Sequence, residues 1–127
     1  MVRRIACLVV AGLIVAAVTG RAAEPPKEKA AVAAAEQWLG LVDEGKYGES
    51  WKEAAEYFRN AVKQEQWAQA AQAVRQPLGK LVSRKVKSTT YMTSLPGAPD
   101  GQYVVVEFET SFENKKAAIE TVTPMMD

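Results

Sequence analysis

The chain has 127 residues, with 16 lysines and arginines, 15 aspartates and glutamates, a single cysteine, no histidine and a formal net charge of +1. That inventory excludes an intrachain disulfide, a Cys/His zinc site, a Ser-His-Asp triad and a histidine base, and a cysteine nucleophile goes too once Cys7 is cleaved off with the N-terminal leader. Any chemistry would fall to carboxylates, lysines, tyrosines or a bound ion, and the residues call for no metal and no cofactor.

In chain order, the first element is a leader. Arg3 and Arg4 precede an unbroken apolar run of fourteen residues, Ile5 to Val18, and Gly20-Arg21-Ala22 puts small residues where a signal peptidase reads them. Residues 1–22 are expected to be a signal peptide, cleaved after Ala22 or Ala23, which sends the protein to the periplasm or the medium. The run is shorter than the roughly 18 apolar residues of a membrane-spanning helix, and Cys7 stands too early in it to carry a lipid anchor. Cleavage would remove Cys7 and three arginines, leaving 13 basic against 15 acidic residues. Residues 23–33 read as a mobile linker and the start of the first helix, and residues 34–127 as one domain.

From Lys27 to about Gln76 the chain is rich in Ala, Glu, Gln and Lys, with apolar residues at helical spacing. Beyond Leu81 it turns to Val, Thr, Ser and aromatics. The first helix is expected from Lys27 or Glu28 to Glu44, with Val32, Ala35, Leu39 and Val42 as its stripe and Gly45 as a left-handed cap. Ser50-Trp-Lys-Glu53 reads as a capping box opening a second helix whose apolar face is Trp51, Ala54, Ala55 and Phe58. After a break near Val62 to Gln64, a third helix carries Trp67, Ala70, Ala71, Val74 and Leu78 on one side and is ended by Pro77 and Gly79. A tryptophan in each helix could form an aromatic box, but large aromatics on apolar faces belong to the core.

Three strands follow: Val82–Thr93, Tyr103–Phe112 and Ala117–Thr123, the last stopped by Pro124. In the middle strand Val104, Val106, Phe108, Thr110 and Phe112 share a face that should meet the helices, with Tyr103, Val105, Glu107, Glu109 and Ser111 on the other. "ENKK", residues 113–116, predicts a tight hairpin. In the 93–101 connection Asp100-Gly101 is expected to turn the chain. The segment lacks the glycine spacing of a phosphate loop, and a strand rather than a helix follows it. With Leu95 opposite Gly101, Lys87 faces Glu109 and Lys85 faces Ser111. Lys80, Arg84, Lys85 and Lys87 then read as a solvated strand face and not a nucleic-acid track.

Glu107 and Glu109 project from one face about 7 Å apart, near the separation at which carboxylate pairs perform acid-base work. They are the candidate bases of a small isomerase or hydratase, with Tyr91 or Tyr103 as proton donor. Opposite charges paired across strands on a solvent face account for the same glutamates without chemistry.

The strings "AEQWLGLVDEGKYGESW", "FRNAVKQEQWAQAAQAVRQPLG" and "TSLPGAPDGQYVVVEFETSFENKKAAIETVTPM" resemble a bacterial family of small exported proteins known only as a domain of unknown function. The resemblance covers about Ala34 to Met126. It implies an α+β domain of the cone-like kind, N-terminal helices on a curved antiparallel sheet, as in nuclear transport factor two and ketosteroid isomerase. It carries no activity and no site residues. Members of that family continue past "TPM" with a Trp- and Tyr-containing strand. The sheet here is therefore expected to lack a strand, leaving Ala117–Thr123 as an open edge, Met125 and Met126 frayed, and a homodimer through that edge available. The reading as a whole is an exported, non-catalytic binding or interaction module whose partner is a small molecule, a lipid or a periplasmic protein, with the small enzyme as the alternative.

Overall fold

The computed structural model describes residues 2–6, 21–22 and 25–126. Most of the leader's apolar run, with Cys7, lies outside the described residues. Four helices come first: α1 Pro25–Asp43, α2 Tyr47–Glu53, α3 Glu56–Ala61 and α4 Gln64–Leu78. The strands β3 Leu81–Met92, β4 Gln102–Phe112 and β5 Lys115–Met126 then form an antiparallel open sheet in chain order. Two short N-terminal strands flank them: β1, Val2–Ala6, pairs with β5, and β2, Arg21–Ala22, pairs with β3. The protein is α+β, with helices on one face of the sheet.

α1 opens on Pro25 and Pro26, whose missing N–H groups cost nothing in a first turn. It ends in a Schellman motif. Gly45, at φ +76°, donates its N–H to the Val42 carbonyl, and Lys46 donates to Leu41. Ala31, Ala35, Trp38, Leu39 and Val42 are buried along its length and meet Val104, Val106, Phe108 and Val122 of the sheet. Each large apolar side chain buried this way contributes about 1.5–3 kcal/mol.

The second expected helix is broken. α2 starts three residues before Ser50, and Ala54 and Ala55 are extended (ψ 161° and 148°) before α3 begins. Both alanines are fully buried, so core packing overrides their helical propensity. Ser50 is no N-cap. It lies inside α2, wholly buried, its hydroxyl donating to the Tyr47 carbonyl at 2.7 Å and accepting from Trp67 Nε1 at 2.8 Å. Its carbonyl accepts from Trp38 Nε1 at 2.9 Å. Trp38 and Trp67 lie 5.7 Å apart by ring centroids, and Phe58 meets Trp67 edge-on at 5.5 Å. Trp51 donates to the Val62 carbonyl at 2.7 Å. The tryptophans thus fasten the helices to one another.

α4 is rotated from its expected face. Val74 is 48% exposed, whereas Ala71 and Arg75 are buried. Pro77 falls within its last turn, and the helix stops at Gly79 (φ +76°, ψ −160°). The orphan carbonyls there are satisfied by the β4–β5 turn. Asn114 N–H donates to Leu78, Asn114 Nδ2 to Pro77, and Glu113 N–H to Lys80. A Cβ on Gly79 would stand 3.0 Å from Asn114 Nδ2 and Glu113 Cβ. Gly79→Ala is therefore expected to lower stability by about 1–3 kcal/mol, read as a lower urea midpoint at unchanged slope. Gly97→Ala, where a Cβ meets nothing, should lose only the conformational part.

β4 shows its expected alternation from Val106 to Phe112, with Val106, Phe108, Thr110 and Phe112 buried under the helices beside Val104, but Tyr103 and Val105 on the other face are buried as well. β4 and β5 form the expected tight hairpin, Phe112 opposite Lys115. Pro124 does not stop β5, which continues to Met126. The β4 ladder pairs up to Val106–Val122 and resumes at Tyr103–Met125, so the proline's missing N–H costs the ladder nothing. Met125 and Met126 are paired rather than frayed, with β4 on one side and Val2–Ala6 on the other. From Lys115 to Val122 the outer edge of β5 has no partner strand among the described residues.

The β3–β4 connection turns at Pro96-Gly97 and not at Asp100-Gly101. Gly97 has φ +77°, and Ala98 N–H returns to the Leu95 carbonyl at 3.2 Å, the type II arrangement with Pro at its second position and Gly at its third. The register differs accordingly. Lys85 stands opposite Glu109 and Ser83 opposite Ser111, with bulges at Val82 and Lys87.

Candidate functional site

The interior between helices and sheet holds a charge cluster. Asp43 closes α1, Arg75 projects from α4, and Arg84, Thr110 and Glu120 come from the helix-facing side of β3, β4 and β5. Arg84 is not on a solvated face. Its guanidinium donates from Nε to Glu120 Oε1 at 2.7 Å, from Nη1 to Asp43 Oδ2 at 2.8 Å, and from Nη2 to Asp43 Oδ1 at 3.0 Å and Glu120 Oε2 at 3.2 Å. Arg75 Nη2 adds a 2.6 Å bond to Asp43 Oδ1, and Thr110 Oγ1 donates to Glu120 Oε1 at 2.6 Å. Glu120 is wholly buried. Two carboxylates and two guanidinium groups balance, the arrangement that makes buried charge tolerable. Arg75 Nε and Nη1 are buried with no hydrogen-bond partner, and the guanidinium lies over the Phe112 ring, 4.9 Å from its centroid. The ring face offers partial compensation.

Burial pushes the Asp43 carboxyl up, but the hydrogen bonds and charges of Arg84 and Arg75 outweigh it and leave the carboxyl below its ordinary 3.8. A carboxyl depressed in the folded state contributes stability above its unfolded pKa, and that contribution is lost as pH falls through the folded value. We expect urea stability to be flat through neutral pH and to decline below about pH 4. Asp43→Asn should remove part of that decline while lowering the neutral plateau.

The sequence-nominated residues are not brought together. Glu107 and Glu109 lie on the face of β4 away from the helices. Glu107 accepts from Ser88 Oγ at 2.8 Å, and Glu109 pairs with Lys85 at 3.4 Å. Tyr91 is on the opposite face, against the core, with Lys27 Nζ 4.6 Å from its ring centroid. Tyr103 is buried at the far end of β4, its hydroxyl donating to the Pro99 carbonyl. Burial, then the Asp100 charge, pushes that hydroxyl's pKa up. Sequence reasoning missed Asp43, Arg75 and Glu120. The one available signal was Glu120 at a position that alternates with Ala118 and Val122 on an apolar face.

An open concavity lies on the outer face of the sheet. It is a groove of about 500 Å³ lined by Ser83, Lys85, Glu109, Ser111, Lys116 and Ile119, among others. Two cross-strand rows build it. Ser83 and Ser111 face each other in a row of small side chains, and Lys85, Glu109 and Ile119 form the bulkier row beside it. Among the described residues, no helix is long and apolar enough to cross a membrane, and no group of three or more Cys, Asp or Glu side chains is placed to hold a metal.

A helix-covered antiparallel sheet with a charge-balanced interior cluster and an open outer groove defines a small α+β domain. Residues 34–127 match the family model described as "Protein of unknown function (DUF4019)", and the chain belongs to that family. Neither the curated proteins nor the solved structures compared with it gave a match.

Proposed function

We propose that the protein is an exported bacterial recognition module, periplasmic or secreted, without catalytic chemistry of its own. The observation that carries this reading is the pairing of the interior carboxylates. An acid-base enzyme of the cone-like type needs a carboxylate desolvated in an accessible pocket. Here Asp43 and Glu120 are taken up by arginines, while Glu107 and Glu109 lie on the outer face. The basic start, short apolar run and small-residue exit of residues 1–22 support export. Processing would also withdraw β1 from β5 and β2 from β3, extending the sheet's unpaired edges.

Native mass spectrometry of protein taken from the periplasmic fraction tests the proposal. We expect a mass beginning at Ala23 or Glu24 together with a non-covalent small-molecule adduct. A full-length mass in the cytoplasmic fraction would overturn export. If an activity is found in the purified protein and Glu107→Gln abolishes it without altering melting, the non-catalytic reading fails.

A further inference from the structure

We infer that the outer-face groove is a binding site for a linear amphiphile carrying one carboxylate, an inference that rests on the recognition reading above. Its volume, about 500 Å³, falls within the range of small-molecule sites. Its charge is unbalanced. Lys85 is paired with Glu109 at 3.4 Å, while Lys116, at the hairpin end, has no ion-pair partner among the described residues. The groove therefore offers one spare ammonium group, and beside it two hydroxyls, Ser83 and Ser111, on directly opposed positions. Ammonium and hydroxyl donors together suit the two oxygens of a carboxylate. Ala117 and Ile119 supply an apolar wall along β5, over which an unbranched chain can lie.

A single anionic head fits better than a multiply charged one, because Glu109 stands in the same row and repels a second negative charge. An extended peptide fits less well, since the groove spans the face of three strands instead of following one edge. In recognition, Lys116 sets the polarity of the ligand, Ile119 holds its chain, and the Lys85–Glu109 pair closes the side of the groove.

The test is an amide-shift titration of the purified protein with sodium octanoate, with octan-1-ol and sodium acetate as comparison probes. Octanoate is expected to give saturable shifts at Ser83, Lys85, Glu109, Ser111 and Ala117 to Ile119. Octan-1-ol should bind about fivefold more weakly, the value of one exposed charged contact, and acetate should not saturate. Lys116→Gln should bring octanoate down to the level of the alcohol, and Ile119→Ser should abolish saturation, both with unchanged melting temperature. Shifts confined to the helices, equal binding of alcohol and carboxylate, or indifference to both substitutions would overturn the assignment. An adduct in the native mass spectrum that survives Ile119→Ser would also overturn it while leaving the recognition reading intact. A chain with no adduct and no saturable probe would remove both.

Discussion

Arg84→Ala is expected to cost about 3–5 kcal/mol, the range for removing one partner of a buried ion pair. A domain of this size has roughly 5–15 kcal/mol in total, so much of the stability is at stake. The arginine makes four hydrogen bonds to two carboxylates on different elements. Without it Asp43 still has Arg75, but Glu120, wholly buried, keeps only the Thr110 hydroxyl. Lysine cannot reproduce the fork, and Arg84→Lys should recover only part of the loss. The double variant Arg84→Met with Glu120→Leu should be more stable than Arg84→Ala alone, because it removes the stranded charge together with its partner. Urea midpoints of the three variants decide the matter. A loss below about 1 kcal/mol for Arg84→Ala would show that the cluster is solvated or loosely formed.

Trp38→Ala is the second large loss, about 3–5 kcal/mol for emptying a core site of this volume. The ring is 1% exposed, stacks at a tilt on Trp67 and donates to the Ser50 carbonyl. Trp38→Phe separates the terms. It keeps most of the volume and orphans the carbonyl, and should cost about 1–3 kcal/mol. Trp51→Phe, on a half-buried ring with a bond of similar length to Val62, should cost less than Trp38→Phe. Equal losses for the two would mean that the inter-helix fastening is not what holds Trp38.

The parts legible in the sequence were those with a period. β4 could be read residue by residue from Val106 to Phe112, where burial alternates strictly, and α1 because its stripe runs unbroken to a glycine with the left-handed φ its cap needs. The hairpin at Glu113-Asn114 followed from length alone. Arg84 was misread because a strand's two faces are assigned by the majority of its residues. Alternation sets Arg84 on the face opposite Lys85 and Lys87, but the run of four cations masks that parity. Its orientation is fixed by Asp43, 41 residues away in sequence, and Glu120, 36 residues away. Arg75 displaced Val74 from the buried side of α4 for the same reason: a carboxylate on another element outweighed one valine's hydrophobicity. The break at Ala54-Ala55 carried no proline, glycine or capping residue to announce it. The groove was invisible because it depends on register. Ser83, Ser111 and Lys85, Glu109 form rows only in the pairing that the Pro96-Gly97 turn and the bulge at Lys87 produce.

The docking of the Glu113-Asn114 turn on the end of α4 has a dynamic consequence. Helix ends ordinarily fray on their own, exchanging amide hydrogens ahead of the rest of the fold. Here the carbonyls of Pro77, Leu78 and Lys80 are held by Glu113 and Asn114, more than thirty residues later in the chain, and at Gly79 the two segments come so close that an added Cβ would stand 3.0 Å from Asn114 Nδ2. The last turn of α4 and the tip of the β4–β5 hairpin are therefore expected to open together, with matching amide exchange rates. The molecule's smallest opening unit in this region joins a helix end to a hairpin that is distant in sequence.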